Sequence, residues 1–550
     1  MKVRIATRGS DLALWQARHV ARRLERAGAE TELVVLKTRG DLIDSVALQA
    51  IEGKAFFTTE IEAALADGRA DLAVHSHKDL PTEETPGLTL AAIPERAPNA
   101  ERLLVRREAH DPEAAFLPVA HGARVGTSSP RRAAQLGALR PDLAIADLRG
   151  NVPTRVNRLR EGRYDAILLA AAGLDRLELD TSDLVAVTLD RGRLVPAPAQ
   201  GALALQARAD DAATLELCRS VFHHEPTARA VEAERSLLAA AGGGCSLPLG
   251  VAVRAADGGW RADVFLGADH PRPGCGPRWG AATGASPLAA ARTAYATIEA
   301  DGPTGVGPLG GLHVALCGSA GNRSALGDRL ATLGVRVSYE RVIEFEDVPC
   351  PDLAERLAAL TDGDVVALTS RQAVRRLGEF SVPRGVRLAA VGPATAAALE
   401  RAGRVADVVG TGGSRALAAS LELVPGARVL YPCAEGAHDE LEGVLAARNV
   451  RVDRAVLYRT VPIEDAPRGE AVDVRVFMSP TAVLATLPWE REEPDRRTLR
   501  VALGRQTADE LARCDLAAVS PCVSGDPALP LSEHLIHFLH RLTAVQEPVS

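Results

Sequence analysis

Apolar and polar positions in the first 210 residues alternate between two periods. VRIAT (3–7) has the two-residue period of a strand, and LALWQARHVARRLERAG (12–28) has the 3.6-residue period of a helix, closed by Gly28. TELVVLKT (31–38) predicts a second strand, FFTTEIEAALADG (56–68) a helix and DLAVHS (71–76) a third strand. This rhythm implies a mainly parallel sheet covered by helices, an α/β fold. Ligands of such sheets sit beyond the carboxyl ends of strands. LAVHSHKDLP (72–81) and ARVGTSSPRR (123–132) both place polar residues just past a strand, so both predict site loops.

The pattern breaks at DGPTGVGPLGG (301–311), with five glycines and two prolines in eleven residues. It reads as a flexible linker between two halves. The second half repeats itself. LAAVGPATAAAL (388–399) matches RVALGRQTADEL (500–511), and VVALTSRQAV (365–374) matches RVFMSPTAV (475–483). LGVRVSYERVIEF (333–345) matches RNVRVDRAVLYRT (448–460). The copies lie about 110–115 residues apart, far beyond a solenoid period. They predict two similar α/β lobes from one duplicated unit, with a cleft between them.

Composition narrows this further. A chain of 550 residues predicts three to five domains. Aromatics make up only 3%, so Ala, Leu and Val must fill the cores. A net charge of −7 offers no global reason to bind nucleic acid. No apolar run approaches the roughly 20 residues that span a bilayer, and the N-terminus lacks an apolar leader. The expected compartment is the cytoplasm. The eight cysteines (218, 245, 275, 317, 350, 433, 514, 522) form no CxxC pair and no zinc-spaced cluster. Free thiols and no metal site are expected.

Charge is not spread evenly. Residues 124–163 hold nine arginines against three acids, a balance of +6, and no lysine. Arginine forks grip carboxylate or phosphate bidentately. A solvated helix face accounts equally well for Arg158, Arg160 and Arg163. It accounts poorly for Arg131, Arg132, Arg149 and Arg155, which sit in the turn-rich GTSSPRR and LRGNVPTR. Thr127, Ser128 and Ser129 add donors. The field implies a substrate with several negative groups; RNA is the alternative, but no stacking aromatics are interleaved. Asp79, after Lys78 and two histidines, reads either as a helix cap or as a lone carboxylate in a cationic cleft. In the second case it stays ionised and can stabilise a developing cation or move a proton. Cys245 in GGGCSLPLG (242–250) has glycine neighbours that supply no packing wall, unlike an ordinary buried cysteine.

Seven stretches, IATRGSDLALWQA, HSHKDLP, GTSSPRR, LRGNV, AAAGLDRL, PAPAQGALA and GGGCSLPLG, occur in the order and spacing of the porphobilinogen deaminase (hydroxymethylbilane synthase) family. The resemblance covers about residues 1–300. It implies two periplasmic-binding-protein-like lobes plus a small α/β third domain: domain 1 over 1–98 and 196–217, domain 2 over 99–195, and domain 3 over 218–300. The implied reaction joins four porphobilinogen units head to tail with release of ammonia. The growing chain hangs from a dipyrromethane cofactor joined by a thioether to Cys245. The resemblance makes Arg8, Ser10, Arg131, Arg132, Arg149, Arg155 and Arg176 carboxylate-binding residues, helped by Thr127, Ser128 and Ser129. Lys78 would lie beside the cofactor. Asp79 would bind pyrrole N–H groups, stabilise the azafulvenium cation and assist proton transfer. Gln200 would line the site, and Lys54 and Phe57 match the lid. The chain departs from the family at Ala50 (often Lys), His77 (usually Met), Pro130 (usually Leu) and in PERAPNAERLLV (94–105).

The second half, about 311–550, resembles uroporphyrinogen-III synthase through TSRQAV, AAVGPATAAAL, VLYRT and ALGRQTADEL. This implies a bilobed α/β domain, with lobe 1 over 312–346 and 461–550 and lobe 2 over 347–460. Its implied reaction cyclises hydroxymethylbilane with inversion of the last ring. Tyr458 would help the hydroxyl leave, and Ser370, Thr395, Ser479 and Thr507 would hydrogen-bond substrate carboxylates or, equally, cap helices. The whole reads as a bifunctional tetrapyrrole-synthesis enzyme, transferase and lyase. It is expected to be a monomer without nucleic-acid or membrane partners. The competing readings are an active deaminase with a degenerate second half, and a carboxylate-binding solute receptor, which would need neither Cys245 nor Asp79.

Overall fold

Ser10 caps the first helix: its side chain accepts from the Ala13 N–H, Asp11 opens the helix, Arg23 and Arg26 occupy its last turn, and Gly28 (φ +86°) lets the chain reverse. Ala17, Val20, Ala21 and Leu24 form its buried stripe. In the computed structural model such local rules recur over the described residues, which are 1–37, 58–243, 247–267, 277–299, 305–319, 324–378, 380–410, 413–424, 426–466, 469–492, 498–516, 518–519 and 531–544. The chain divides into two units. One comprises Met1–Val314, Ser324–Val337 and Gly525–Ser550, the other Ala315–Arg323 and Ser338–Ser524.

In the first unit the chain builds β1 (Lys2–Arg8), α1 (Asp11–Arg26), β2 (Glu30–Leu36), α2 (Thr59–Ala66), β3 (Leu72–Ser76) and β4 (Leu88–Ala92). It crosses into β5 (Glu101–Val105), β6 (Arg124–Gly126), α3 (Pro130–Leu139), β7 (Ala144–Ala146), α4 (Val152–Arg160), β8 (Ala166–Ala170), α5 (Ala171–Leu177) and β9 (Val185–Thr188). It returns as β10 (Leu203–Arg208) and α6 (Ala212–Phe222). The sheets run β2-β1-β3-β10-β4 and β7-β6-β8-β5-β9. In each, one crossing strand runs antiparallel among parallel ones: β10 against β3 and β4, and β5 against β8 and β9. The two crossings touch where Gly201 (φ +84°) passes Ala97, whose carbonyl a Cβ there would meet at 2.4 Å. Cys218 and Phe222 of α6 are in the core of the first lobe, so that lobe continues past the boundary expected at 217.

A third sheet, β11 (Leu249–Ala256), β12 (Gly259–Leu266) and β13 (Arg278–Gly284), is antiparallel and packs on α7 (Glu225–Ala240) and α8 (Pro287–Glu299). Fully buried Glu234 of α7 accepts both forks of Arg96 at 2.8 Å and the N–H groups of Ala199 (2.7 Å) and Val253 (2.8 Å). One carboxylate thus pins the third sheet to both crossings. Described residues 305–311 are not a loose linker. Leu309 is fully buried and its N–H donates to Leu333 O at 2.8 Å. A Cβ on Gly307 would meet that same oxygen at 2.5 Å. The glycine serves close approach here, which composition alone does not distinguish from flexibility.

After this come β14 (His313–Gly318), α9 (Ala325–Thr332), β15 (Arg336–Arg341), β16 (Ile343–Asp347), α10 (Leu353–Ala358), β17 (Val365–Leu368), α11 (Arg371–Leu377), β18 (Arg387–Ala390), α12 (Pro393–Arg401), β19 (Val408–Val409), α13 (Gly413–Ser420), β20 (Arg428–Ala434), α14 (Glu440–Ala446) and β21 (Arg451–Pro462). The chain ends with β22 (Val474–Phe477), α15 (Pro480–Glu492), β23 (Leu499–Ala502), α16 (Arg505–Arg513) and α17 (Leu531–Ala544). Sheet orders are β15-β14-β22-β23 and β16-β21-β20-β17-β18-β19. The repeat read from the sequence superimposes these orders: β21-β20-β17-β18 corresponds to β15-β14-β22-β23. The copied motifs share local form as well, since Gly392 and Gly504 are both extended N-caps, of α12 and α16.

Candidate active site

β3 is a central strand, so its side chains are buried until Ser76, and a 3-10 turn over His77–Asp79 brings the chain to the surface. His75 is held by Gln206 at 3.1 Å, and Gln206 donates to Glu62 at 3.0 Å. Burial lowers the His75 pKa to about 4. His77 is 1% exposed and neither ring nitrogen finds a partner among the described residues. Burial first, then the charges of Arg235, His75 and Arg96, lower it to about 3. Both rings are neutral at physiological pH and belong to the scaffold. Arg235 of α7 donates to the carbonyls of His77 and Leu80 at 3.1 Å, which fixes the turn from the third domain.

The turn then presents Lys78 and Asp79. Lys78 Nζ donates to Gln200 Oε1 at 3.2 Å, and Gln200 Nε2 donates to the Asn99 carbonyl at 2.8 Å. Gln200 thereby ties the turn to both crossings. Burial lowers the Lys78 pKa to about 8; Asp79 pulls it up and Arg132 pushes it down. Arg155 is lowered to about 10, by burial and then by Arg132, with Asp79 and Asp147 opposing. These mutual influences gather Lys78, Asp79, Glu101, Arg131, Arg132 and Arg155 into one cluster in which Asp79 is exposed.

Arg131, Arg132 and Arg155 occupy helix first turns where the sequence suggested open turns, while Arg149 precedes the N-cap Asn151. Ser129 caps α3 with Pro130 at its start, and Asn151 caps α4. Helix N-termini favour anions, so the correction strengthens the charge argument. Arg131 and Arg132, 4% and 6% exposed, share Glu101: Arg131 Nη2 and Arg132 Nη2 each reach one carboxylate oxygen at 2.6 Å. Their Nη1 groups bond Val195 O (2.7 Å) and Leu168 O (3.0 Å). Arg132 Nε remains buried without a partner among the described residues. Glu101 is held down at about 2: burial pushes it up, and Arg132 and Arg131 outweigh that. Arg176 donates to Gly201 O at 2.7 Å and lies 5.8 Å from the Trp15 ring centroid; burial lowers it to about 10. Arg149 bonds Asp147 at 2.9 Å, and Arg155 bonds Gly150 O at 2.7 Å. Arg8 ends β1, half-buried, beside the cap Ser10.

Other residues serve the scaffold. Ser128 Oγ donates to Leu148 O (2.6 Å) and accepts from Leu148 N (3.0 Å), and Thr127 Oγ1 accepts from Ser129 N (3.2 Å). Arg140 pairs with Asp142, Arg160 with Asp183 and Arg163 with Glu161. Lys54, Phe57, Ala50 and Cys245 lie outside the described residues. Gly242 (φ +72°) ends α7, and a Cβ on Gly243 would meet Leu238 O at 2.5 Å. The first two glycines before Cys245 therefore satisfy turn geometry. Sequence reasoning missed Glu101, a single acid at a strand start that follows no pattern.

In the second half Tyr458 is 5% exposed and its hydroxyl lies 2.7 Å from Ser370 Oγ. Arg376 sits 4.7 Å from its ring centroid, and Phe345 meets it edge-on at 5.7 Å. Burial raises the phenol pKa, and the Ser370 hydrogen bond opposes this. Ser370 and Ser479 accept from Ala373 N (3.0 Å) and Ala482 N (3.3 Å), so both cap helices. Thr395 and Thr507 are each 4% exposed in the first turns of α12 and α16.

Comparison with known proteins agrees with both resemblances. The family described as porphobilinogen deaminase, dipyromethane cofactor binding domain, matches residues 3–216, and the family described as uroporphyrinogen-III synthase HemD matches 324–525. A porphobilinogen deaminase of Nitratidesulfovibrio vulgaris (strain DSM 19637 / Miyazaki F) is 51% identical over 260 residues, 47% of this chain and 80% of that protein. One of Roseiflexus castenholzii is 47% identical over 249 residues, 45% of this chain and 79% of that protein. Among solved structures, a mutant uroporphyrinogen III synthase of the extremely thermophilic bacterium Thermus thermophilus is 26% identical, with a TM-score of 0.29, over 42% of this chain and 99% of that one.

Proposed function

The chain belongs to the porphobilinogen deaminase family and carries a uroporphyrinogen-III synthase domain after it, and from this we propose how its residues divide the work. It is a bifunctional enzyme of porphyrin biosynthesis. The first half links four porphobilinogen molecules into hydroxymethylbilane with release of ammonia, and the second closes that product to uroporphyrinogen III.

The observation that carries the deaminase reading is an exposed carboxylate, Asp79, among incompletely neutralised cations. Each porphobilinogen brings an acetate and a propionate, so the growing product is a polyanion. Arg132 Nε, Arg155 and Arg176 suit it, because each is a cation whose burial is not fully compensated within the protein. Arg8, Arg149 and the helix N-termini of α3 and α4 extend the anion-binding surface. Dipyrromethane, held as a thioether by Cys245, supplies the anchor from which the chain grows. Lys78 would hold its carboxylates; burial lowers the Lys78 pKa to about 8, so it also has a proton to release close to neutrality. Asp79 stabilises the positive charge on the substrate carbon as ammonia departs, and accepts the proton displaced when the new bond forms.

In the second half, the capped N-termini of α11, α12, α15 and α16 offer N–H groups to the substrate carboxylates. Tyr458, through its hydroxyl and its Ser370 partner, assists departure of the substrate hydroxyl. The domain limits stated from the sequence are part of this proposal with three changes: domain 1 extends through α6, residues 305–311 are packed and not a loose linker, and segments 324–337 and 525–550 group with the first unit. Among the described residues no helix is long and apolar enough to cross a membrane. The reading places both steps in the cytoplasm, on charged water-soluble substrates, and treats one chain as sufficient.

The intact mass of the purified chain tests the anchor. It is expected to exceed the sequence mass by one dipyrromethane unit, and the peptide containing Cys245 should carry the excess. The same mass on another cysteine, or no added mass in protein that turns over porphobilinogen, would refute the assignment.

A further inference from the structure

The helix that presents Arg131 and Arg132 has a poorly provided far end. α3 is ten residues long, contains Gly137, and has no basic residue in its last turn. Its C-cap, Arg140, is turned away, bonding the carbonyls of Leu117 (3.0 Å) and Val119 (3.3 Å) and both oxygens of Asp142 (2.8 Å). So short a helix is marginal unless tertiary contacts hold it, and its C-terminal carbonyls favour a cation.

That cation comes from far along the chain. Arg329 of α9 donates to the carbonyls of Ala138 and Leu139, the latter at 3.4 Å, across 191 and 190 positions of sequence. Its Nε faces Glu533 of α17 at 3.4 Å, with both side chains largely buried. α17 continues the contact. The His540 ring lies 4.5 Å from that of Phe116, a residue held at φ +64°. Leu535, Ile536 and Leu539 of α17 are fully buried. Both helices follow residue 311, yet segments 324–337 and 525–550 group with residues 1–314.

We infer that α9 and α17 brace the deaminase lobe, although α9 lies within the residues matched by the synthase family: Arg329, oriented by Glu533, clamps the C-terminal end of α3 and so steadies the turn that carries Arg131 and Arg132. In this chain the second half does more than tether a second enzyme, because two of its segments complete the first. Arg329 and Glu533 are positioning residues and touch no substrate. The inference rests on the deaminase reading only for its activity readout.

The test uses the full chain, with hydrogen–deuterium exchange read by mass spectrometry and porphobilinogen consumption measured in parallel. In Arg329→Ala, amides of residues 133–140 are expected to exchange roughly threefold to tenfold faster, as for loss of a helix-terminal cation. Strands 365–434 should exchange as before, and porphobilinogen consumption should fall. Glu533→Gln, a gentler change, should give a smaller increase in the same peptide. Unchanged exchange at 133–140 in both variants overturns the clamp, whatever happens to activity. Faster exchange with unaltered consumption overturns the link to the site. A wild-type chain that leaves porphobilinogen untouched would instead count against the deaminase reading.

Discussion

Glu101→Ala is expected to destabilise the first unit by about 3–5 kcal/mol, the range for removing one partner from a buried ion cluster. Glu101 is fully buried and supplies the anion to two arginines that are themselves nearly inaccessible. Its removal leaves two cations facing each other without water. Thermal unfolding should show the first unit melting roughly 5–15 °C lower. Glu101→Gln should fall between, since it keeps an acceptor and loses the charge. The same carboxylate predicts an acid limit. Its folded pKa of about 2 lies below the ordinary value near 4.3. Its contribution is therefore complete above about pH 4.3 and is lost as pH falls towards 2. A Glu101→Ala chain melting within a degree or two of wild type would show that the two arginines are held by other means.

Asp79→Ala should have the opposite profile. Asp79 is exposed, so the fold should change by less than about 0.5 kcal/mol. Porphobilinogen consumption should fall roughly 10²–10⁴-fold, the usual range for a positioned acid–base group. Asp79→Asn should be nearly as slow, because charge, and not shape, opposes the developing cation. The intact mass should still include the dipyrromethane increment, since the Cys245 thiol is unaffected. Consumption within tenfold of wild type would remove Asp79 from the chemistry.

The contrast between Glu101 and Asp79 shows what a single sequence makes legible. Strand-to-loop transitions are local, so the HSHKDLP and GTSSPRR loops could be placed on strand ends and their charges assigned to one site. The duplicated strand–Ser–helix and strand–Gly–helix units of the second half were equally visible, because each is a dozen residues of one pattern. What stayed hidden is pairing at a distance. Glu101 meets Arg132 across 31 positions, and Arg329 meets Ala138 across 191. Neither leaves a periodic trace. β5 and β10 look like any other strand, yet they run antiparallel and define the two crossings. Glycine and proline each misled once. The 305–311 stretch reads as flexible, but Gly307 is there so that its backbone can approach Leu333. Arg131, Arg132 and Arg155 read as turn residues because GTSSPRR and LRGNVPTR are rich in Gly, Ser, Pro and Asn, but Ser and Asn there cap helices and proline is compatible with a helix's first turn.

The central claim is that both halves act in sequence. The most direct measurement supplies porphobilinogen to the purified chain, oxidises the products and separates uroporphyrin I from uroporphyrin III by chromatography. Free hydroxymethylbilane closes spontaneously to the isomer I skeleton, so predominance of isomer III requires the second half to capture and invert it. The account predicts mostly isomer III; isomer I alone would contradict it.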